Sequence, residues 1–205
     1  MTTGGEGGMV TTHSEDLWRK MWAYKDHGKN YAAVYERQHA PGFRWLHDGF
    51  GTNWRMLEIQ AAIGRIQLGR MSDWTQRRTA NAREILATCR QFTALHVPEP
   101  PVGCEHAYYK CYVYVRPEKL AHGWSRDRIV DEINRRGVPC YQGSCSEVYL
   151  EKAFDETPWR PKGHLPVAKQ LGECSLMFLV HPTLTCDEVG QTCAVINSVL
   201  SSASV

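Results

Sequence analysis

Gly4, Gly5, Gly7 and Gly8, set around Glu6, are the first residues whose spacing suggests chemistry. A glycine cluster can cradle phosphate oxygens with its backbone amides, but a dinucleotide fingerprint needs a strand ahead of it, and none is written there. Neither a Walker-type lysine pattern nor a GxSxG nucleophile elbow is present. Eight cysteines, at 89, 104, 111, 140, 145, 174, 186 and 193, contain no CxxC pair. Cys89 and Cys193 fall on helix faces and Cys111 in a strand run, so reduced, packed thiols are expected. Cys140 and Cys145, in "CYQGSC", stand apart from that pattern. The nine histidines are scattered singly, without the i, i+4 spacing of a helical zinc pair, and no metal is expected.

These residues need elements to hold them. Met9–Thr12 reads as a strand. Thr12 and Ser14 offer N-caps to a helix that carries Leu17, Trp18, Met21 and Trp22 on one face and ends at Gly28. Residues 29–52 have aromatics but no period, which marks a functional or interfacial loop. A helix then starts near Asn53 or Trp54, with Asn53 as its N-cap and Arg55 in its first turn. Its two apolar stripes predict burial on both sides. A second helix begins near Ser72, with Ala82, Ile85, Cys89 and Phe92 on its stripe. "VPEPPVG" (97–103) stops it.

Beyond that point, 107–115 alternates at period two, and Ser125 caps a helix with Ile129, Val130 and Ile133. Strands at 138–141 and 175–180 come next. A last helix opens on a capping box, Thr185 and Glu188, and carries Val189, Cys193, Ile196 and Leu200. Strands alternating with helices give an α/β fold. Residues 1–52, 53–103 and 104–205 divide into an N-terminal strand, helix and aromatic loop, then connecting helices and linker, then a small α/β domain.

The bulk numbers set limits. The 205 residues are 42% hydrophobic and 22% charged, enough for a sizeable core. A net charge of +2, with only short basic runs, gives no reason to expect nucleic acid or an anionic membrane as partner. No apolar run approaches ~20 residues, and the N-terminus lacks a signal-peptide pattern, so a cytoplasmic location is expected.

Three stretches, in this order and at these distances, resemble one family: "TTGGEGGMV" (2–10), "GFGTNWRMLEIQAAIGRIQL" (49–68) and "DEINRRGVPC" (131–140). It is the DegT/DnrJ/StrS family of pyridoxal-phosphate-dependent sugar aminotransferases, which have the type I aspartate-aminotransferase fold. The middle stretch is similar to the family's G-Y-N-Y-R-M-x-E-x-Q-A-A-x-G run, departing at Thr52 and Trp54. In the family, the glycine stretch comes directly after the lysine that carries the cofactor as a Schiff base. The resemblance therefore implies the C-terminal part of such a fold, with residues 1–52 a remnant of the large cofactor domain. It places Met1 beside the missing lysine, and the glycines become a tight backbone turn next to the cofactor.

The resemblance also implies roles for particular residues. Lys20, Lys25 and Lys29 do not match the motif lysine, so no catalytic residue is assigned and the chain alone is expected to be inactive. Asn53 matches the asparagine that reaches the cofactor phosphate of the neighbouring subunit, which implies a homodimer, and Arg55 is a suitable helper. The loop at 140–154 stands where nucleotide-sugar members carry an H-Y-P-x-x-H loop. Both histidines are absent, leaving Ser144, Cys145 and Tyr149 as candidate substrate contacts or members of an ordinary surface turn. The implied parent moves an amino group from glutamate to a keto-sugar nucleotide for lipopolysaccharide or a similar glycan. A sugar dehydratase of the same family, with histidine for the lysine, and a non-catalytic dimerisation module are the alternatives.

Overall fold

The computed structural model describes residues 4–42 and 44–205. Met1, Thr2 and Thr3, which open the motif next to the expected lysine position, lie outside the described residues, as does Phe43 of the aromatic loop. The chain divides into two compact units, Thr2–Met71 and Ser72–Val205.

In the first unit, α1 (Glu15–Lys25) begins where Ser14 Oγ accepts the Leu17 amide, with Glu15 and Asp16 in the favourable first turn. A short α2 (Tyr31–Tyr35) is capped by Asn30, whose Oδ1 accepts from the Ala33 amide. The apolar face of α1 is only partly covered here: its tryptophans meet tyrosine rings, while no residue of α1 is buried and Leu17 stays exposed. Trp18 and Trp22 meet Tyr31 edge-on at 4.9 and 5.0 Å, and Trp22 meets Tyr35 at 5.8 Å. Arg19 sits over the Tyr31 ring and links Glu15 to Glu36. The strand expected at Met9–Thr12 does not form, and Met9 and Val10 are exposed. Local β-propensity makes no ladder without a neighbouring strand to pair with.

The helix α3 (Glu58–Cys89) corrects three expectations. It is one 32-residue helix, not two, because Ser72 carries only a small propensity cost in a helix interior. It also starts at Glu58, five residues after Asn53. Leu57 takes the N-cap position and donates its amide to Gln60 Oε1, half of a capping box with no hydroxyl in it. Asn53 is therefore no N-cap. Ile59, Ile63, Ile66 and Leu68 are exposed, whereas Ala82, Ile85, Leu86 and Cys89 are buried, so two-sided burial does not hold for the first turns.

The second unit holds an antiparallel sheet of β1 (Leu95–His96), β2 (Cys111–Val115), β3 (Cys140–Tyr141) and β4 (Ser175–Phe178), in the order β1-β2-β4-β3. The strand at 107–115 is shorter than its alternation suggests, since Tyr108 adopts a positive φ of 44° ahead of Cys111. From Cys111 the period holds, with Cys111, Val113 and Val115 inward. β4 lies between two neighbours, and its SLMF run is buried throughout. The helices are α4 (Arg126–Arg135), α5 (Pro166–Cys174) and α6 (Cys186–Ala203). Ser125 caps α4, and the Thr185–Glu188 capping box opens α6. Ile85, Ile129, Ile133, Leu176, Phe178, Ile196 and Leu200 close the core with the sheet. Cys193 is only half-buried.

Candidate functional site

Asn53 and Arg55 stand on an extended segment tied to the end of α1. Gly28, at φ 81°, donates to the Ala23 carbonyl and stops the helix. The chain then returns alongside it: Thr52 N donates to Tyr24 O at 2.7 Å, His27 N to Thr52 O at 2.9 Å, and Trp54 N to Lys25 O at 2.9 Å. Asp26 and Asn53 form an antiparallel bridge at the centre. Glycine makes this approach possible. A Cβ on Gly51 would lie 2.4 Å from Gly28 N, and one on Gly28 would lie 2.0 Å from Gly49 O. Gly28→Ala is expected to lower the opening free energy of this pairing by more than about 1 kcal/mol. Hydrogen exchange at the amides of His27, Thr52 and Trp54 reads it directly.

The bridge sets side chains around one carboxylate. Asp26 is 7% exposed, with Lys29 Nζ 3.2 Å from Oδ1, Lys25 Nζ 3.4 Å from Oδ2 and Arg55 Nε 3.9 Å from Oδ1. Burial pushes the Asp26 carboxyl up. The Lys29 hydrogen bond, with the charges of Lys29, Arg55 and Lys25, outweighs burial and leaves it below the ordinary 3.8. A depressed carboxyl stabilises the fold above its unfolded value and loses that contribution as pH falls through the folded one. Acidification through and below the ordinary carboxylate range should therefore loosen this segment. As pH falls, the Asp26 carboxyl resonance should titrate later than that of a free aspartate.

Arg55 Nε donates to Asn53 Oδ1 at 3.2 Å, and Arg55 Nη2 lies 3.2 Å from His27 Nε2. Among the described residues, no acceptor lies on Asn53 Nδ2. Asn53 is exposed and the Arg55 side chain is 50% exposed, so a neutral donor and a guanidinium both face outward. Beside them a cavity of about 1140 Å³ is lined by Trp18, Met21, Trp22, Tyr24, Trp54 and Met56, with Lys20, Lys25 and Arg55 as its cations. Tyr24 and Trp54 pack edge-on at 5.3 Å. Gly7 and Gly8 of the opening glycines line the same cavity, and Gln60 Nε2 donates to Glu6 O at 2.7 Å. They serve as backbone packing on the start of α3, where a Cβ on Gly4 would press within 3.2 Å of Gln60 O.

Ser144, Cys145 and Tyr149 lie together on a loop of the second unit. Lys110 Nζ donates to Ser144 Oγ at 3.3 Å, and Cys145 Sγ is 3.7 Å from Glu151 Oε1. Tyr149 is engaged on both sides: its hydroxyl donates to Glu147 at 2.6 Å and accepts the Leu165 amide at 2.7 Å. His164 Nδ1 also meets Glu147, at 2.8 Å. Tyr149 and His164 together hold the Glu147 carboxyl below its usual range. Gly143, at φ 99°, carries the loop past the Tyr112 ring, where no Cβ would fit.

The two groups of expected site residues thus belong to different units. Asp26, His27, Glu147 and His164 join them without having been singled out by the sequence. The one signal in the sequence is "DHGK", a charged run at a helix stop. Cys140 is buried in β3 while Cys145 is exposed on the loop, and all eight cysteines are free. Burial pushes the Cys111 and Cys140 thiols up to about 12, which makes them packing groups and not nucleophiles. Among the described residues no group of three or more His, Cys, Asp or Glu could hold a metal ion. No described helix is long and apolar enough to cross a membrane.

The long helix beside a small antiparallel sheet is the architecture of part of a pyridoxal-phosphate aminotransferase of type I fold. An aminotransferase structure from Psychrobacter cryohalolentis superposes with a TM-score of 0.91 at 65% identity, over 98% of this chain and 53% of that one. The DegT/DnrJ/EryC1/StrS aminotransferase family matches residues 1–197, and the chain belongs to that family. It is 28% identical over 181 residues to the dTDP-3-amino-3,4,6-trideoxy-alpha-D-glucose transaminase of Streptomyces venezuelae, covering 88% of this chain and 42% of the relative. To the GDP-perosamine synthase of Escherichia coli O157:H7 it is 28% identical over 199 residues, covering 97% and 49%. The chain spans about half the length of the relatives it matches.

Members of this family are pyridoxal-phosphate-dependent aminotransferases. The residues here fit one part of that cofactor: Asn53 Nδ2, which has no acceptor among the described residues, and the half-exposed Arg55 are groups of the kind a phosphate takes.

Proposed function

We propose that this chain is the C-terminal part of a pyridoxal-phosphate-dependent aminotransferase that transfers an amino group from glutamate to a keto-sugar nucleotide. The observation that carries this reading is the Asn53–Arg55 pair, held by the Asp26 bridge with a donor and a guanidinium facing outward. In a homodimer, Asn53 donates from Nδ2 to the cofactor phosphate of the neighbouring subunit and Arg55 adds its charge. Pyridoxal phosphate, when bound, supplies the electron sink for moving the amino group. The lysine that would carry it has no counterpart in residues 1–205, so this chain alone does not turn over.

The loop with Ser144, Cys145 and Tyr149 faces the nucleotide sugar. Ser144 and Cys145 offer the contacts, while Tyr149 shapes the loop through Glu147 and Leu165. The names of the relatives, a dTDP-sugar transaminase and a GDP-sugar synthase, support the substrate class. The product enters lipopolysaccharide or another surface polysaccharide, and the enzyme works in the cytoplasm, where nucleotide sugars are made.

A chimera tests this reading. The part of the Psychrobacter aminotransferase that this chain does not cover is joined to residues 1–205; 65% identity over the shared part makes the junction compatible. The chimera should bind pyridoxal phosphate and aminate a nucleotide-linked keto sugar in a glutamate-dependent manner. Cofactor binding with sugar dehydration, and no amino transfer, would overturn it.

A further inference from the structure

Arginine donates and cannot accept. The Asn53 atom facing Arg55 Nε at 3.2 Å is therefore its carbonyl oxygen, and Nδ2 is the end left over. By the same rule, His27 Nε2 accepts from Arg55 Nη2 at 3.2 Å, which puts the ring proton on Nδ1. The guanidinium is thus fixed from two sides, with the buried Asp26 carboxylate 3.9 Å from its Nε. Asp26 has little freedom. Two lysines hold its oxygens, and its backbone is bridged to Asn53 itself. His27 sits at φ 62°, a conformation that costs a non-glycine residue energy. The hydrogen bond from its amide to Thr52 O holds it there.

We propose that Asp26 and His27 are positioning residues that act through Arg55 to turn the donor end of the Asn53 amide toward an incoming phosphate. This role rests on the cofactor-phosphate reading of Asn53. It also separates two roles for charge. If Asp26 acted only through its field, Asp26→Asn would make the surface more positive and tighten anion binding. If Asp26 positions Arg55, the same change weakens binding despite the added positive charge.

The test uses the 205-residue chain, inorganic phosphate as the probe, and NMR of the Asn53 side-chain amide and the Arg55 Nε–H. Without phosphate, Asp26→Asn should speed hydrogen exchange at Arg55 Nε–H and shift the Asn53 amide pair. His27→Gly should do the same, and glycine is at ease at this left-handed position, so the fold is kept. With phosphate, both variants should bind about tenfold more weakly or worse, judged by saturation of the Asn53 signal. Unchanged Arg55 exchange, or phosphate binding that is equal or tighter in Asp26→Asn, would overturn the positioning role. If phosphate leaves the wild-type Asn53 signal untouched, the cofactor-phosphate reading fails, and Arg55 exchange still decides the positioning role alone.

Discussion

Mixed with pyridoxal phosphate, glutamate and a keto-sugar nucleotide, the 205-residue chain by itself will give background turnover and no borohydride-fixed adduct at any one lysine. Transamination needs an amine that carries the cofactor and shuttles a proton, and general acid–base help of that kind is worth about 10²–10⁴-fold before binding is counted. The lysines of the cavity and of the Asp26 cluster are poor candidates. Lys25 and Lys29 donate to Asp26, and an ammonium engaged that way has no lone pair for a carbonyl. Lys20 lines the cavity on α1, far in sequence from the glycine stretch that comes after the motif lysine. Mass spectrometry after borohydride treatment checks the expectation. A single modified lysine, accompanied by turnover, would overturn it.

Asn53→Ala in the completed enzyme will weaken cofactor binding by about 1–3 kcal/mol, roughly 5- to 150-fold, because a phosphate oxygen loses its donor with nothing to replace it. Overall stability should hardly change, since Asn53 is exposed and caps no helix. Equilibrium titration of the apoenzyme with pyridoxal phosphate, next to urea denaturation, separates the two effects. Equal affinity with lowered stability would make Asn53 a structural residue.

Local chemistry is legible in the sequence; distant pairing is not. The Thr185–Glu188 box, the Ser125 and Ser14 caps and the inward Cys111-Val113-Val115 alternation are written within a few residues and form as expected. The start of α3 is hidden because Leu57 has no side-chain acceptor to advertise a cap, and its partner Gln60 announces itself only weakly. Met9–Thr12 has strand-like residues, but a strand is a property of two segments. Asn53 and Arg55 stand out through the family resemblance alone.

Beyond the "DHGK" run, nothing in the sequence points to Asp26 and His27, for a physical reason. Their partners Asn53 and Arg55 lie more than 25 residues away in sequence, and the return of the chain depends on Gly28, Gly49 and Gly51 approaching within backbone contact. Likewise His164 reaches Glu147 across 17 residues, a pairing that no local motif around the 140–154 loop announces.

If Asn53 serves the cofactor site of a neighbouring subunit, as proposed, a mixed dimer will show it. One subunit of the completed enzyme keeps its cofactor-carrying lysine; the other has that lysine replaced, leaving a single competent site. Asn53→Ala placed on the lysine-deficient subunit should release pyridoxal phosphate from that site and abolish its turnover at limiting cofactor. The same substitution on the lysine-bearing subunit should leave the site loaded. Loss that tracks the lysine-bearing subunit instead would show that Asn53 serves its own chain and would overturn the role in trans.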